Sequence, residues 1–242
     1  MTISSNSLIH FTSDLASLRG ILADNFKLFF CEESVILQEG RTSAFIPMVS
    51  FCDIPLSQIV EHIEKYGNYG IGLTKEWGIK NGLNPVLYMS EGSMLSVEFK
   101  NSYNTALKKL PRKDQRGFIE ARRHIKNYQG DLTRKGKVIP EYRFYDEREW
   151  RYTPSIKDFD ELLVSEKKYC ASGMKEAYDK RIDSLRLVFE PDDVKYIIIA
   201  DDSEIKGVIR HLRDAKDKKF SFDQVEKLTT RIITVEQLKT DF

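Results

Sequence analysis

Residues 142–152, Y-R-F-Y-D-E-R-E-W-R-Y, hold the side chains best suited to chemistry. Glu147 and Glu149 stand two apart, and the Arg151 guanidinium follows at the same interval. The run is rich in aromatics and alternates, which predicts a β-strand. Successive side chains of a strand point to opposite faces. Tyr145, Glu147, Glu149 and Arg151 are therefore expected on one face, and Phe144, Trp150 and Tyr152 on the other, a core face. Charges on a strand otherwise built for burial are tolerated only with partners or a ligand. Two readings stay open: a functional carboxylate pair, or an edge strand with a solvated charged face in which Glu149 pairs with a neighbouring Arg or Lys.

Other chemistries find less support. His10, His62, His124 and His211 show no H-x-x-x-H spacing and no cysteine partner, so no metal site is expected. G-x-S-x-G is absent, and Cys52 at a strand end carries no further mark of a nucleophile. G-x-G-x-x-G is missing as a strand-to-helix turn, which argues against a Rossmann domain. The basic cluster Lys108, Lys109, Arg112, Lys113, Arg116, Arg122, Arg123 and Lys126 reads first as a solvated helix face. Its sharper reading is a nucleic-acid or phosphate contact over residues 108–126.

The chain that positions these groups has 242 residues, 41% hydrophobic and 31% charged, with a net charge of +1. That composition predicts a soluble globular protein without a global pull toward nucleic acid or anionic membrane. No apolar run reaches the roughly 18 residues of a membrane span, and the N-terminus lacks the signature of a signal peptide. Three scattered cysteines fit a reducing, cytoplasmic setting.

Periodicity predicts a strand over 7–12, a helix to about 25 capped by Ser13 or Asp14, and a strand over 42–52. A helix over 56–66 and a glycine-rich strand over 69–74 follow, the three glycines of residues 66–74 implying positive φ or a close backbone approach. The pattern is helical over 93–127, interrupted at Pro111, and the continuous apolar run 194–200 predicts a central strand. Strands and helices mix without a βαβ rhythm. The expectation is one α+β domain over 1–242, with mixed or antiparallel sheets, flanking helices and a helical insertion at about 93–127.

The order V-S-F-C-D-I-P-L-S, Y-G-N-Y-G-I-G-L, N-P-V-L-Y and D-E-R-E-W-R-Y resembles the AbiGi family, abortive-infection (phage-defence) proteins labelled antitoxins, over about residues 8–200. It also looks like a related bacterial family with an E-x-E-W-R signature. The opening I-H-F-T and its L-x-x-I-L helix, with Glu149 later, resemble the ADP-ribosyltransferase fold. That second likeness implies an NAD-dependent transferase scaffold. Glu149 would then be the catalytic glutamate steadying an oxocarbenium-like transition state, Glu147 the base that activates an acceptor, and His10 the residue orienting the NAD ribose. Thr12, Ser50, Tyr66, Tyr69 and Arg151 would complete the cofactor site, with the tyrosine open between Tyr66 and Tyr69. The alternative is a non-catalytic antitoxin that restrains a partner toxin, with Glu147, Glu149 and Arg151 as a structural or interface ion network.

Overall fold

The computed structural model describes residues 5–37, 40–134, 136–155, 157, 161–216 and 220–241. They fall into two compact units interleaved along the chain. The first comprises Met1–Lys27, Ser50–Leu83 and Arg186–Phe242, the second Leu28–Val49 and Asn84–Leu185. Each mixes helices with sheet, an α+β architecture holding both antiparallel and parallel strand pairs.

In the first unit, strand Ser7–Thr12 leads into helix Leu15–Asp24. Asp14 is the cap: its carboxylate accepts the Ser17 N–H at 2.8 Å and satisfies a donor the helix leaves orphaned. Strand Ser7–Thr12 pairs antiparallel with Tyr69–Thr74, which pairs on its other side with Val194–Ile199. Val194–Ile199 in turn runs parallel to Ile232–Thr234. The apolar run of Val194–Ile199 therefore has a neighbour on both sides, and Ile197, Ile198 and Ile199 are fully buried. Ile9, Ile59, Ile63, Ile198, Val235 and Leu238 close the core.

Close packing accounts for the glycines near residue 70. Gly67 has φ 124°, and a Cβ there would lie 2.4 Å from the Thr12 carbonyl oxygen. At Gly72 it would meet the Tyr196 ring at 2.8 Å.

In the second unit, Phe29–Leu37 pairs antiparallel with strand Gly40–Cys52, from Phe29↔Met48 to Leu37↔Gly40. The helical pattern resolves into Met94–Lys109 and Arg116–His124, separated by Pro111 and a 3₁₀ turn, Arg112–Gln115. The chain then enters strand Ile125–Asn127, parallel to Leu87–Met89. Val35, Leu37, Met89 and Ile125 form a core against which Phe99 packs.

The strand expected over 142–152 is three elements instead: strand Lys137–Tyr142, 3₁₀ turn Phe144–Glu147 and strand Glu149–Tyr152. Arg148, at φ 44° and ψ 53°, makes the left-handed joint. A 3₁₀ turn repeats every three residues, not every two, so Tyr145 is exposed while Glu147 is buried. The faces are inverted from the expected ones. Glu147, Glu149 and Arg151 are buried, and Trp150 and Tyr152 are only partly so.

Candidate functional site

The charges of the Glu149–Tyr152 strand meet partners brought from three other parts of the second unit. Arg151 is fully buried, and each nitrogen of its guanidinium donates a hydrogen bond. Nε donates to Glu149 Oε1 at 2.9 Å, Nη2 to Glu33 Oε2 at 2.5 Å, and Nη1 to the Arg123 carbonyl at 2.6 Å. Glu33 comes from strand Phe29–Leu37. Lys126, from strand Ile125–Asn127, donates to Glu149 Oε2 at 2.8 Å and lies 3.5 Å from Glu147 Oε2. Its ammonium also sits 4.9 Å from the Phe144 ring centroid, within cation–π range.

Each oxygen of Glu149 thus faces a different cation. The Glu149 backbone is tied down as well: its N–H donates to the Tyr88 hydroxyl at 2.8 Å, and its carbonyl accepts from Val86 N–H at 3.0 Å. Burial alone would raise the Glu149 carboxyl, but Arg151 and then Lys126 hold it well below the ordinary carboxylate range. Burial likewise works against the charges of Lys126 and Arg151. Glu149 and Glu33 outweigh it and raise both, with Glu147 adding to the effect on Lys126. Glu149, Lys126 and Arg151 are therefore all charged at neutral pH.

Of the eight basic residues read as one solvated face, two belong to the interior and a third is mostly covered. Arg122 and Arg123 are buried. Arg122 Nη2 donates to the Glu33 and Thr42 carbonyls at 3.0 and 3.1 Å, and Arg123 binds Glu120 and the Pro154 carbonyl. Lys126 is the third.

The remaining expected site residues lie in the first unit. His10 Nδ1 is 2.8 Å from the Ser50 carbonyl oxygen. A carbonyl only accepts, so Nδ1 carries the proton. The imidazole packs on Phe26 and Phe51 at centroid distances of 5.3 and 5.6 Å. Burial lowers its pKa, and the Ser50 hydrogen bond offsets part of that shift. Thr12 faces Tyr69 across the ladder. The Tyr69 hydroxyl donates to Glu204 Oε1 at 2.8 Å, and burial with that carboxylate pushes it up to about 12. Tyr66 ends helix Val60–Tyr66 and stacks on His62, 6.0 Å between centroids. The structure thus joins His10 with Ser50 and Thr12 with Tyr69 in one unit, and Glu147, Glu149 and Arg151 in the other.

Sequence reasoning missed Glu33 and misplaced Lys126. The available signal was the pair Glu32-Glu33 inside the otherwise strand-like F-F-C-E-E-S-V-I-L. One of two adjacent strand residues must face the side its neighbour does not.

This buried ion cluster, set in an α+β fold, occurs in a chain whose relatives are phage-resistance proteins. Residues 25–200 match the family described as "Putative abortive phage resistance protein AbiGi, antitoxin". A relative from Lactococcus lactis subsp. cremoris, "Abortive phage resistance protein AbiGi", is 30% identical over 223 residues, covering 82% of this chain and 89% of the relative. The chain belongs to the AbiGi family. No solved structure matches it. Among the described residues, no helix is long and apolar enough to cross a membrane.

Proposed function

We propose that this protein works in phage defence by binding: it is an antitoxin that restrains a partner toxin, and Glu147, Glu149 and Arg151 are part of its framework. The observation that carries this reading is the engagement of both Glu149 oxygens by Arg151 and Lys126, at 2.9 and 2.8 Å, inside one unit. A transferase glutamate must offer an oxygen to a ribose hydroxyl and its charge to a developing cation. Here that charge is already neutralised by two partners, Arg151 fully buried and Lys126 mostly so. The antitoxin description of the matching family agrees with a binding role.

The competing reading keeps an ADP-ribosyltransferase-like scaffold, NAD as cofactor, Glu149 as catalytic residue and His10 as the ribose ligand. Three measurements separate the two. For the antitoxin, expression alone leaves growth unaffected. Co-expression with the product of the adjacent gene suppresses that product's toxicity. Calorimetry of the purified protein shows no NAD binding. Toxicity of this chain alone, abolished by Glu149→Ala without unfolding, would overturn the antitoxin reading. So would saturable NAD binding weakened by His10→Ala.

A further inference from the structure

Some cations of this chain are paired: Arg186 with Asp24, Arg213 with Glu226, and Lys227 with Asp192. The turn between helices Met94–Lys109 and Arg116–His124 instead concentrates unpaired ones in nine residues. Lys108, Lys109, Arg112, Lys113 and Arg116 are all exposed, and Asp114 is the one carboxylate among residues 108–116. Among the described residues, none of the five makes a side-chain hydrogen bond or ion pair.

The turn itself is well bonded. Gln115 Nε2 donates to the Leu110 and Leu107 carbonyls at 2.8 and 3.3 Å, and Asp114 N–H donates to the Pro111 carbonyl at 2.9 Å. Carbonyls at a helix C-terminus are the groups a lysine can otherwise bind. With Gln115 serving those two, Lys108 and Lys109 keep their ammonium groups in solvent.

Helix electrostatics explain only part of this charge. Lys108 and Lys109 lie at a C-terminus, where cations are favourable. Arg112, Lys113 and Arg116 lead into and open helix Arg116–His124. There the dipole and free N–H groups favour anions. Three cations at that end work against the helix, and no carboxylate of the described residues pairs with them.

We propose that this ridge, residues 107–116, is the surface that docks the toxin, through an acidic face of that protein. The proposal rests on the antitoxin reading and names the surface that does the restraining. An excess of five cations over one carboxylate is complementary to an acidic patch, and such complementarity sets association rate and specificity. Two features favour a protein over a nucleic acid. Leu107 and Leu110, 39% and 40% exposed, supply apolar area between the cations, as interface cores require. No aromatic lies within 107–116 for bases to stack on, and the whole chain carries a net charge of only +1.

The test is the charge-reversed triple variant R112E/K113E/R116E of the full chain beside wild type. Each is titrated by calorimetry with the purified product of the adjacent gene and with a random-sequence DNA duplex, at low and physiological salt. The acidic residues suit the helix start, so the variant's melting temperature should equal or exceed that of wild type. Its affinity for the protein should fall at least about tenfold, and the salt dependence should flatten. Undiminished affinity in the variant would overturn the ridge and leave the antitoxin reading standing. Absence of binding by wild type would remove that reading and the ridge with it. Loss of DNA binding alone, with protein binding intact, would reassign the ridge to nucleic acid and overturn the proposal.

Discussion

At the scale of single residues, the cluster makes Glu149 a structural side chain first. Breaking a buried ion pair by removing one member costs about 3–5 kcal/mol, because the charge left behind is uncompensated. Glu149→Gln is therefore expected to lower the melting temperature by on the order of 10 °C, measured by circular dichroism. An unchanged melting temperature would return Glu149 to the list of candidate catalytic groups. The pH dependence has a definite sign. The folded carboxyl lies below its unfolded value of about 4.3, so on acidification the unfolded chain binds more protons. The contribution of Glu149 is thus complete above about pH 4.3 and is lost as pH falls through the folded value. Wild type should lose stability over that acid range more steeply than Glu149→Gln. His10 follows the same sign in another window. Burial depresses its folded value below the ordinary ~6.5, so its contribution is present above that pH and declines below it. Nitrogen NMR should show a mainly neutral ring at about pH 6.5, with the proton on Nδ1; an imidazolium there would contradict the effect of burial, and a neutral ring protonated on Nε2 would contradict the Ser50 hydrogen bond.

At the scale of elements, two backbone positions carry the geometry. Arg148 holds a left-handed conformation at φ 44°, which costs an L-residue about 1–2 kcal/mol. Arg148→Gly relieves that strain and gives back part of it as unfolded-state entropy, for a net change within about 1 kcal/mol of wild type. Arg148→Val, β-branched at the same φ, should destabilise by more than about 1 kcal/mol in urea titration. If Val and Gly behaved alike, the left-handed joint would not be what turns the chain from Phe144–Glu147 into Glu149–Tyr152. Gly67→Ala should be worse than Arg148→Val. Its φ of 124° is strained for any side chain, and its Cβ would strike the Thr12 backbone at 2.4 Å.

At the scale of the whole molecule, the chain crosses between units four times, after Lys27, Val49, Leu83 and Leu185. Neither unit is a contiguous piece of sequence. The sheet of the first is completed only by Val194–Ile199 and Ile232–Thr234, which the chain supplies after passing through Asn84–Leu185. Thermal unfolding should accordingly be one cooperative transition, with equal calorimetric and van't Hoff enthalpies. Two resolved transitions would show that each unit folds on its own.

The strands Ser7–Thr12, Tyr69–Thr74 and Val194–Ile199 were legible from periodicity, as were the first helix, with its cap narrowed to Ser13 or Asp14, and the helix break at Pro111. So was the family, through short motifs in a fixed order. These signals are local: a cap, a proline or an alternation acts within a few residues of itself. The ion cluster was legible only as a cost, two carboxylates and a guanidinium that needed partners. What those partners are was decided by tertiary structure, because Arg151 finds Glu33 across 118 residues and Arg122 finds the Glu33 carbonyl across 89. The same distinction divides the basic stretch. Lys108 and Arg122 look alike in sequence, and only the fold leaves one in water and buries the other beneath a strand's carbonyls. Charge is written in the residue, but the solvent around it is chosen by segments far away in the chain.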